Sequence, residues 1–567
     1  MKTNIMKFMA FCIIMMMPFL SFSQVISLPD AAKPYMHNEV PDDPYLPNPY
    51  GNQKTSPAKT YRGTGFFTAQ VNVNLNNENI LGDAANEPSI GINPTNPNQM
   101  VIGWRQFDNV YSNFRQAGYA YSTDAGQTWI FMGTIETGIF RSDPVLDFDS
   151  SGYAYYNSLT SNSGVYTCKV FKSEDGGAIW NAGVQARGGD KQWMTIDRRG
   201  EPDGGNIYSF WTSYYSSCYP GFFTRSIDAG ESFEWCSEIP GNPYWGTMAV
   251  GNNGELYIAG SSQNGGIVVV KSTNAWNTVF PGWDFYSEVD MDGYITSQVY
   301  VNPVGLLGQA YIDVDRSNGP GRGNVYVLAS VVRFSNGDPA DVMFSKSTDG
   351  GLTWSSPVKI NDDPDTDRYQ WFGTMSVAPN GRIDAVWLDT RDGLPGSQVS
   401  ALYYSYSMDQ GETWSPNERL SDLFDPHVGW PQQNKMGDYF DMKSDENGAH
   451  LAWANTLNDE QDVYYSYITP EITGIRDISN KQKEISLYNF PNPFRDNTTI
   501  SYTITFTGKI LMEITDLYGK VVETLVDDIK QPGTYHISWT SDIPAGYYNC
   551  RLTAEGQTKH TGLIKIR

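Results

Sequence analysis

Short runs rich in Val, Ile, Tyr and Trp recur along the middle of the chain, each followed by a turn that contains Asp or Asn and Gly. Apolar and polar residues that alternate with a period of two are typical of β-strands, and Gly and Asn mark the turns between them. Residues 375–387 show one complete unit: a strand, a Pro-Asn-Gly turn and a second strand that ends in Ala-Val-Trp. The pattern therefore predicts an all-β protein. Seven such units begin at Pro88, Pro144, Trp193, Gly246, Ala310, Gly373 and Asp438.

An octapeptide with a fixed internal spacing recurs between these units, and its first copy runs from Ser122 to Trp129. The Asp at its third position accepts N–H bonds within a turn, and the Gly at its fifth position adopts a positive φ. The aromatic residue at its end packs between sheets. The octapeptide thus predicts the hairpin turns of repeated sheets, with a structural role for its Asp. The five copies place that residue at Asp124, Asp175, Asp228, Asp349 and Asp409.

This octapeptide is the Asp box, and its copies are about one four-stranded sheet apart, which resembles the Asp-box β-propellers. The resemblance implies blades arranged in a ring over residues 66–468, which leaves only short, protected strand edges. Seven units favour seven blades; six blades, as in known sialidases, is the alternative. The last unit ends at residues 462–468 without a box. We therefore expect the strand at residues 66–74 to complete the last blade and close the ring.

The N-terminal residues predict export rather than fold. Residues 1–23 have the pattern of a signal peptide, because Lys2 and Lys7 precede a short apolar run that small residues follow. That run is too short for a membrane-spanning helix, and no later stretch is long enough. Residues 24–65 are rich in Pro and Asn and predict an extended leader. The chain is expected to be exported and soluble, without a transmembrane segment.

The C-terminal residues 487–567 form a separate predicted domain, joined to the ring by a linker at residues 469–486. Alternating strands are predicted at residues 498–506, 509–516, 534–540 and 547–554. The motifs at Asn489–Phe494, Asp516–Lys520 and Ile564–Ile566 make this segment similar to the type A sorting domain of type IX secretion. The resemblance implies a small β-sandwich, recognised by the type IX secretion machinery and passed across the outer membrane. The alternative is an ordinary sandwich module that binds a partner.

Composition narrows the classes of partner. The chain holds 39 Lys and Arg against 63 Asp and Glu, a net charge of −24, and 14% of its residues are aromatic. So many aromatic residues argue against a disordered chain. The acidity argues against nucleic acid, whose phosphates require clustered Lys and Arg. Residues 485–567 hold eight basic and eight acidic residues, so the acidic excess belongs to the central domain and its leader.

The cysteines and acidic loops bear on cross-links and metals. Cys218 and Cys236 flank a predicted hairpin and are candidates for a disulfide, while the four cysteines after the signal peptide are too few for a disulfide framework. No CxxC pair or His cluster indicates zinc. The oxygen-rich loop Asn361–Asp367 is a candidate for a structural Ca²⁺, although such runs are usually solvated turns. We therefore expect no cofactor and no other metal.

The strand pattern also predicts where chemistry would lie. In a propeller, the residues just before each innermost strand and just after the next strand converge on one mouth. Carboxylates, arginines and aromatic rings on one face suit a carbohydrate, because Trp and Tyr stack on sugar rings and Arg binds carboxylates with two bonds. Polar residues around a propeller axis also commonly satisfy backbone groups. The candidates are Glu87, Arg105, Arg141, Asp143, Trp193, Arg368, Tyr369, Trp371, Arg391 and Asp438.

The Asp boxes, together with Glu87-Pro88-Ser89-Ile90 and Asn93-Pro94, make residues 80–468 similar to the secreted sialidase-like (BNR-repeat) proteins. The family's sialidases bind the substrate carboxylate with three arginines and use a Tyr nucleophile paired with Glu and an Asp acid/base. The resemblance implies Arg105, Arg368 and Arg391 (or Arg141) as the clamp. It implies Asp143 as the acid/base and Tyr369 with Glu87 or Asp438 as the nucleophile pair. The Arg-Ile-Pro tripeptide that carries the first sialidase arginine is absent.

Two functions from different classes follow. The first is a secreted glycan-active enzyme, a sialidase-like glycoside hydrolase that acts on extracellular carbohydrate. The second is a non-catalytic extracellular propeller that binds a glycan or a glycoprotein. Other catalytic motifs, such as GxSxG, a Walker loop or HExxH, do not occur in the sequence. Because propellers host both enzymes and binding proteins, the fold alone does not decide between the two.

Overall fold

The computed structural model describes most of the chain after residue 53 and divides it into two units, Met1–Glu471 and Ile472–Arg567. The predicted signal peptide and most of the predicted leader and linker lie outside the described residues. Among the residues described, no helix is long and apolar enough to cross a membrane. The described residues are 43–46, 54–162, 164–200, 204–277, 281–470, 485–504, 507–531, 533–540, 543–554 and 557–566.

The first unit is built from antiparallel β-sheets, as the alternating pattern predicts. Four short strands begin it: β1 (Thr55–Pro57), β2 (Thr60–Gly63), β3 (Phe66–Gln70) and β4 (Glu78–Ile80). Strand β1 pairs with β4. The next four sheets are sheet 1 with β5 (Ala84–Ile92), β6 (Met100–Phe107), β7 (Gln116–Ser122) and β8 (Ile130–Ile135); sheet 2 with β9 (Ser142–Phe148), β10 (Ala154–Asn162), β11 (Val165–Ser173) and β12 (Val184–Gln185); sheet 3 with β13 (Trp193–Ile196), β14 (Ile207–Phe210) and β15 (Phe223–Ser226); and sheet 4 with β16 (Met248–Val250), β17 (Leu256–Ser261), β18 (Ile267–Ser272) and β19 (Phe285–Val289).

Three more sheets complete the series. The connection from sheet 4 to sheet 5 carries β20 (Gly293–Tyr294), which joins the edge of sheet 5, and the hairpin of β21 (Ser297–Val299) and β22 (Asn302–Leu306). The sheets are sheet 5 with β23 (Tyr311–Val314), β24 (Val325–Arg333), β25 (Asp341–Ser347) and β26 (Val358–Lys359); sheet 6 with β27 (Gln370–Val377), β28 (Ile383–Asp389), β29 (Ala401–Ser407) and β30 (Glu418–Arg419); and sheet 7 with β31 (Asp441–Ser444), β32 (Ala449–Asn455) and β33 (Asp462–Ile468).

The first strands of these seven sheets contact one another in a ring. Each first strand contacts the first strand of the next sheet, and β31 of sheet 7 contacts β5 of sheet 1. Strand β3 pairs with β33, so the N-terminal strand completes the last sheet, as expected for residues 66–74. The pairing is reinforced by a hydrogen bond between the hydroxyls of Thr68 and Ser466, 2.7 Å apart. The two ends of the ring unit are thereby joined in one sheet.

The octapeptides form the turns after the third strand of five sheets, and in four of these sheets the turn leads into a fourth strand. At Asp349, one carboxylate oxygen accepts the N–H of Thr353 at 2.9 Å and the other accepts its hydroxyl at 2.6 Å. Gly351 has φ of 91° and donates its N–H to the Ser347 hydroxyl. The aromatic residue that ends the octapeptide packs on the neighbouring sheet. The centroid of the Trp129 ring lies 5.3 Å from that of the Tyr465 ring in sheet 7. These bonds give the Asp of the octapeptide the structural role that its spacing predicts.

Sheet 3 carries a cross-link between the two cysteines that the sequence offers as candidates. Cys218 and Cys236 form a disulfide between the loop after β14 and the chain beside β15. Ser237 pairs with Phe223 and extends the sheet past the octapeptide turn. The two remaining cysteines of the described chain, Cys168 and Cys550, are buried and free.

The second unit contains two sheets that enclose one apolar core. The predicted strands appear within two residues of their expected bounds, and three further strands flank them. The core draws Ile500 and Trp539 from one sheet and Ile510, Cys550 and Leu563 from the other. The strands are β34 (Ile485–Phe490), β35 (Asn497–Ile504) and β38 (Gly533–Thr540) in one sheet, and β36 (Gly508–Thr515), β37 (Val521–Lys530), β39 (Gly546–Ala554) and β40 (Gln557–Lys565) in the other.

Candidate functional site

The two ends of the ring differ in their connections. At one end, turns such as residues 378–382 and 445–448 join the first strand of a sheet to its second, and the octapeptide turns lie at the same end. At the other end, residues 290–310 and 420–440 connect successive sheets and enter the first strands. We call these the short-turn end and the long-loop end. Because functional residues concentrate on loops held by a rigid scaffold, the long-loop end is the expected mouth.

Six charged side chains meet in the interior of the long-loop end, and we call them the charged cluster. Lys435 Nζ lies 2.9 Å from an Asp438 carboxylate oxygen and 3.6 Å from a Glu87 oxygen. Burial of an ion costs several kcal/mol unless an opposite charge compensates it, so such groups occur in alternating networks. The six members, none more than 1% exposed, are Glu87, Arg105, Asp143, Lys191, Lys435 and Asp438.

The remaining pairs of the charged cluster join four sheets. Arg105 Nη1 lies 3.3 Å from Glu87, and both residues belong to sheet 1. Lys191 Nζ lies 2.9 Å from Asp438 and 3.5 Å from Asp143, which links the entries to sheets 3, 7 and 2. Four of the predicted site residues, Glu87, Arg105, Asp143 and Asp438, are therefore brought together.

An irregular backbone directs these side chains inward. Glu87, Asp143 and Lys191 have φ of 50°, 48° and 58°, a left-handed conformation that costs a non-Gly residue about 1–3 kcal/mol. Each lies at the entry to a first strand, and the pairing of β5 with β6 shifts between Asn86 and Ser89. A bulge of this kind re-aims a side chain that regular alternation would place on a sheet face. Backbone strain thus accompanies the convergence of the charged cluster.

Two acids of the charged cluster, Glu87 and Asp143, have opposite pKa shifts. Burial raises the pKa of Glu87 well above its usual range, and the nearby Asp438 and Asp143 carboxylates reinforce this while Arg105 opposes it. Burial also disfavours the charged form of Asp143, but Lys191 and Arg105 outweigh it and hold its pKa below the usual range. Glu87 therefore keeps its proton to a higher pH than an exposed glutamate, whereas Asp143 stays a carboxylate.

The two long connections close the charged cluster from above. The backbone N–H of Leu306 donates to Asp438 at 2.8 Å, and the Asn302 amide donates to the carbonyl of Gly437 at 2.8 Å. From residues 420–440, Gln433 accepts a hydrogen bond of 2.8 Å from Arg105. The hairpin of β21 and β22 and the chain before β31 thereby interlock over the cluster, which solvent does not reach.

An aromatic layer lies beneath the charged cluster. The ring of Trp193 packs edge-on against Tyr439 at 5.4 Å and against Tyr311 at 5.9 Å. Burial raises the pKa of Tyr439, and the nearby carboxylates of Glu87 and Asp143 raise it further. Tyr439 therefore lies next to the charged cluster. On their other side, Trp193 and Tyr311 line a cavity of 410 Å³.

That cavity lies toward the short-turn end, among the last residues of the first strands. Its wall combines apolar side chains such as Met248 and Met375 with pairs of opposite charge. It receives residues from six of the seven sheets, so it lies at the axis of the ring. The pairs are Asp147 with Arg198, Asp197 with Arg199, Asp313 with Arg316 and Asp441 with Lys443.

Three of the predicted arginines lie outside the charged cluster, which differs from the expected clamp. Arg141 pairs with Glu136. Arg368 pairs with Asp365 and Asp367 and donates to the carbonyl groups of Gly393 and Leu394. Arg391 binds Asp389 and Asp362 and stacks on Tyr403. Each guanidinium is therefore neutralised by its own local carboxylates, and of the four candidates Arg105 alone joins the charged cluster.

The aromatic candidates also lie outside the charged cluster. Tyr369 is half-buried against the core between sheets 6 and 7, and burial raises its pKa. Trp371 is fully buried and donates its indole N–H to the Ser400 hydroxyl. Trp193 lines the cavity instead of the mouth. Neither Tyr369 nor Trp371 appears among the partners of the charged cluster in the described chain, so the expected nucleophile pair is not assembled.

The structure adds Lys435 and Gln433 to the site. Both come from the connection between sheets 6 and 7, where no strand pattern fixes a position, so no signal in the sequence points to them. Lys191 lies two residues before a first strand, and the strand pattern predicts this position at the mouth.

In the loop considered for calcium, some carboxylate oxygens bind groups of the protein. Asp362 pairs with Arg391, and Asp363 accepts a hydrogen bond from Asn361 at 2.6 Å. Across the residues that the structure describes, no group of three or more His, Cys, Asp or Glu side chains is placed to hold a metal.

Aromatic side chains are exposed on sheet 3, beside the mouth. Tyr214, Tyr219 and Trp235 are 63%, 75% and 70% exposed, and we call them the aromatic patch. Tyr219 and Trp235 are the neighbours of Cys218 and Cys236, so the disulfide holds their two segments together. The Arg187 guanidinium lies over the Trp235 ring, 4.4 Å from its centroid.

Several solved structures are similar to this chain at low identity. A protein of unknown function from Dyadobacter fermentans is 14% identical, covers 71% of this chain and 99% of its own, and has a TM-score of 0.41. An ulvan lyase of polysaccharide lyase family PL25 is 11% identical, with 69% and 94% covered and a TM-score of 0.43. The Trypanosoma rangeli sialidase is 10% identical, with 87% and 89% covered and a TM-score of 0.37. These likenesses identify neither the site nor the reaction.

The comparison with curated proteins gives no match. One family model matches the chain, that of the secretion system C-terminal sorting domain, over residues 488–566. This agrees with the motifs at the C-terminus and with the second unit of the structure. The chain thus carries a C-terminal sorting domain, which indicates export across the outer membrane to the cell surface or the medium.

Proposed function

We propose that this protein is an exported, seven-bladed Asp-box β-propeller that recognises extracellular carbohydrate through the long-loop end. The closed ring of first strands supports the blade count, and the five octapeptide turns support the Asp-box assignment. The two sheets that share a core in the C-terminal unit form a β-sandwich, which the type IX secretion machinery recognises.

The observation that carries the proposal is the contrast between the sealed charged cluster and the exposed aromatic patch. A general acid or base must come within hydrogen-bond reach of its substrate. Glu87, Arg105 and Asp438 are fully buried and paired with one another or with lysines, so they are not presented to a polymer. Tyr219 and Trp235 stand in solvent at the same end. The side chains that a ligand can reach are therefore the aromatic ones, which suit binding rather than catalysis.

The aromatic patch suits a sugar for two reasons. Tyr and Trp offer a large apolar face with a polar edge, and such rings pack against the apolar face of a pyranose. The disulfide and the Arg187 contact hold the rings before the ligand arrives, which reduces the entropy lost on binding. The separation of Arg141, Arg368 and Arg391 gives no support to a sialidase clamp.

A glycan array with the full chain tests this function. We expect binding to one class of glycan and a loss of at least about tenfold in affinity for Tyr219→Ala and Trp235→Ala, since hot-spot aromatic residues contribute about 2 kcal/mol or more. Tyr286→Ala is the matched control, because this ring is 53% exposed on β19, outside the patch. Equal loss in the control, or unchanged binding in both patch variants, would reject the patch. Binding to glycoproteins but not to their released glycans would point to a protein ligand.

Glycoside hydrolysis is the second candidate, favoured by the opposite pKa shifts of Glu87 and Asp143. A glycosidase requires one protonated acid and one carboxylate, which are the two states that these shifts favour. Release of reducing ends from an array-positive glycan would support it, provided that Glu87→Gln and Asp143→Asn both abolish release while binding persists. Binding without release would leave recognition as the function.

A further inference from the structure

The cavity at the short-turn end has the features of a ligand site that is separate from the long-loop end. Its volume of 410 Å³ lies in the range of small-molecule pockets, about 300–1,000 Å³. Trp193 and Tyr311 form its floor, and Met248 and Met375 contribute apolar wall. Pockets of this kind bind the body of a ligand by apolar contact and orient it by a few polar groups.

The polar groups of the cavity form a pattern that occurs in sheets 2, 5 and 7. One carboxylate oxygen of each Asp accepts a backbone N–H of the next sheet in the ring. Asp147 accepts that of Ile196 at 3.1 Å, and Asp313 accepts that of Val377 at 2.8 Å. Asp441 accepts that of Ile90 at 3.1 Å. The carboxylates are thus used within the protein.

The second oxygen of each Asp holds a cation. Arg316 Nη1 donates to Asp313 at 2.7 Å, and Lys443 Nζ lies 3.4 Å from Asp441. Arg198 binds Asp147 in the same way. The Asp side chains are 2–17% exposed, whereas those of Arg198, Arg316 and Lys443 are 39%, 42% and 32% exposed. The charge that faces solvent at this cavity is therefore positive.

Donors also remain on these cations. Arg198 uses Nε and Nη2, and Arg316 uses Nε and Nη1, for the carbonyl groups and carboxylates around them. Arg198 Nη1 and Arg316 Nη2 donate to no group in the described part of the chain, and Lys443 donates only to Asp441. Guanidinium groups bind carboxylates with charge-assisted hydrogen bonds. The acidity of the rest of the unit weakens this attraction little, because charges more than about 8 Å away are screened at physiological salt.

We infer that this cavity binds a small ring compound that carries a carboxylate, with the ring against Trp193 and Tyr311 and the carboxylate between Arg198, Arg316 and Lys443. This site lies at the opposite end of the ring from the aromatic patch, and it does not rest on the proposed recognition of carbohydrate there. A sugar acid and an aromatic carboxylate share this chemistry, and the probes below distinguish them.

Calorimetric titration of the full chain with glucuronate, glucose and benzoate tests the inference. We expect binding of glucuronate, of benzoate or of both, and no binding of glucose at the same concentration. Tighter binding of glucuronate identifies a sugar acid, and tighter binding of benzoate identifies an aromatic body. Failure of both acids to bind, or binding of glucose as tight as that of glucuronate, overturns the inference.

Two variants locate the binding. Lys443→Gln and Arg316→Gln should each lower the affinity for the bound acid by about tenfold, the usual effect of one charge-assisted hydrogen bond. Lys346→Gln is the matched control, because Lys346 also pairs with a single carboxylate, that of Glu412, but lies on β25 outside the cavity. Arg316 also holds the Val250 carbonyl, so its variant requires an unchanged unfolding midpoint to be counted. Loss in the control equal to that in Lys443→Gln places the ligand elsewhere and overturns the inference.

Discussion

The ring of Tyr439 lies edge-on to the ring of Trp193, with centroids 5.4 Å apart and planes at 80°, and its hydroxyl donates to the carbonyl of Pro144 at 2.7 Å. Both side chains are buried. This contact joins sheets 3 and 2 to the entry of sheet 7, and it separates the charged cluster from the cavity. The axis of the ring is therefore divided into a sealed ionic part and an open cavity.

Removal of the Trp193 ring should destabilise the whole ring unit. A buried Trp replaced by Ala costs about 3–5 kcal/mol through lost contacts and the cavity left behind. Trp193→Ala should lower the free energy of unfolding by that amount in urea titrations, while Tyr439→Phe should lower it by about 1 kcal/mol through the lost hydrogen bond. Trp235→Ala, at a 70% exposed position, should change it by less than about 0.5 kcal/mol. Equal effects of Trp193→Ala and Trp235→Ala would contradict the role of the aromatic layer.

The raised pKa of Glu87 has a consequence for the pH dependence of stability. Its pKa is higher in the folded than in the unfolded chain, so the unfolded chain loses this proton first and stability falls as pH rises from the unfolded value, about 4.3, to the folded value. Glu87→Gln has no proton to lose. We expect its free energy of unfolding, measured in urea, to fall less than that of the wild type above pH 4.3. A parallel decline in the two proteins would show that Glu87 is not the group responsible.

The pKa of Asp143 is shifted in the opposite direction, and its effect on the pH dependence of stability is therefore also opposite. Its pKa is lower in the folded chain, so its stabilising effect is present above the unfolded value, about 3.9, and is lost as pH falls through the folded value. Asp143→Asn leaves Lys191 without one partner of a buried network, which costs about 3–5 kcal/mol. We expect this deficit at pH 7 and a smaller one at pH 3. The exposed Asp367→Asn should change stability by less than about 1 kcal/mol at either pH.

The disulfide should stabilise sheet 3 and the aromatic patch together. It closes a loop with a sequence separation of 18, for which the chain-entropy model gives about 3 kcal/mol. The double variant Cys218→Ser/Cys236→Ser should lose about that much stability and should also bind the array-positive glycan more weakly. A reductant should affect the wild type in the same way and leave the double variant unchanged, because Cys168 and Cys550 are free. A reductant effect of equal size in the double variant would contradict this assignment.

The sequence predicted local features better than long-range ones. Hairpin turns depend on a few adjacent residues, so the bonds of Asp349 and the closing strand at residues 66–74 follow from the pattern. The partners of an arginine side chain do not follow from the local pattern. Arg391 lies directly after a second strand, yet its long side chain turns to Asp389 and Asp362. Lys435 joins the charged cluster from a connection without periodicity.

The open cavity lies at the end where the sequence suggested only turns. The rule that residues at the ends of the inner strands converge on one mouth predicts the long-loop end, and Glu87, Arg105, Asp143 and Asp438 meet there. That rule contains no information on which end is closed, because closure depends on where residues 290–310 and 420–440 fold. The hydrogen bond from Leu306 to Asp438 contributes to the closure of the long-loop end, and this bond joins positions 132 residues apart.

Closure of the ring by the N-terminal strand is testable at Val71. Its backbone N–H donates to the carbonyl of Val463 at 2.9 Å, just beyond β3, and both residues are fully buried. Val71→Pro removes that donor and leaves the carbonyl unsatisfied, whereas Val71→Ala removes only apolar contacts, about 2 kcal/mol. If β3 holds the ring closed, Val71→Pro should lower the free energy of unfolding by about 1–3 kcal/mol more than Val71→Ala. It should also speed proteolytic cleavage of the folded chain. Equal stability of the two variants would show that this bond does not contribute to closure.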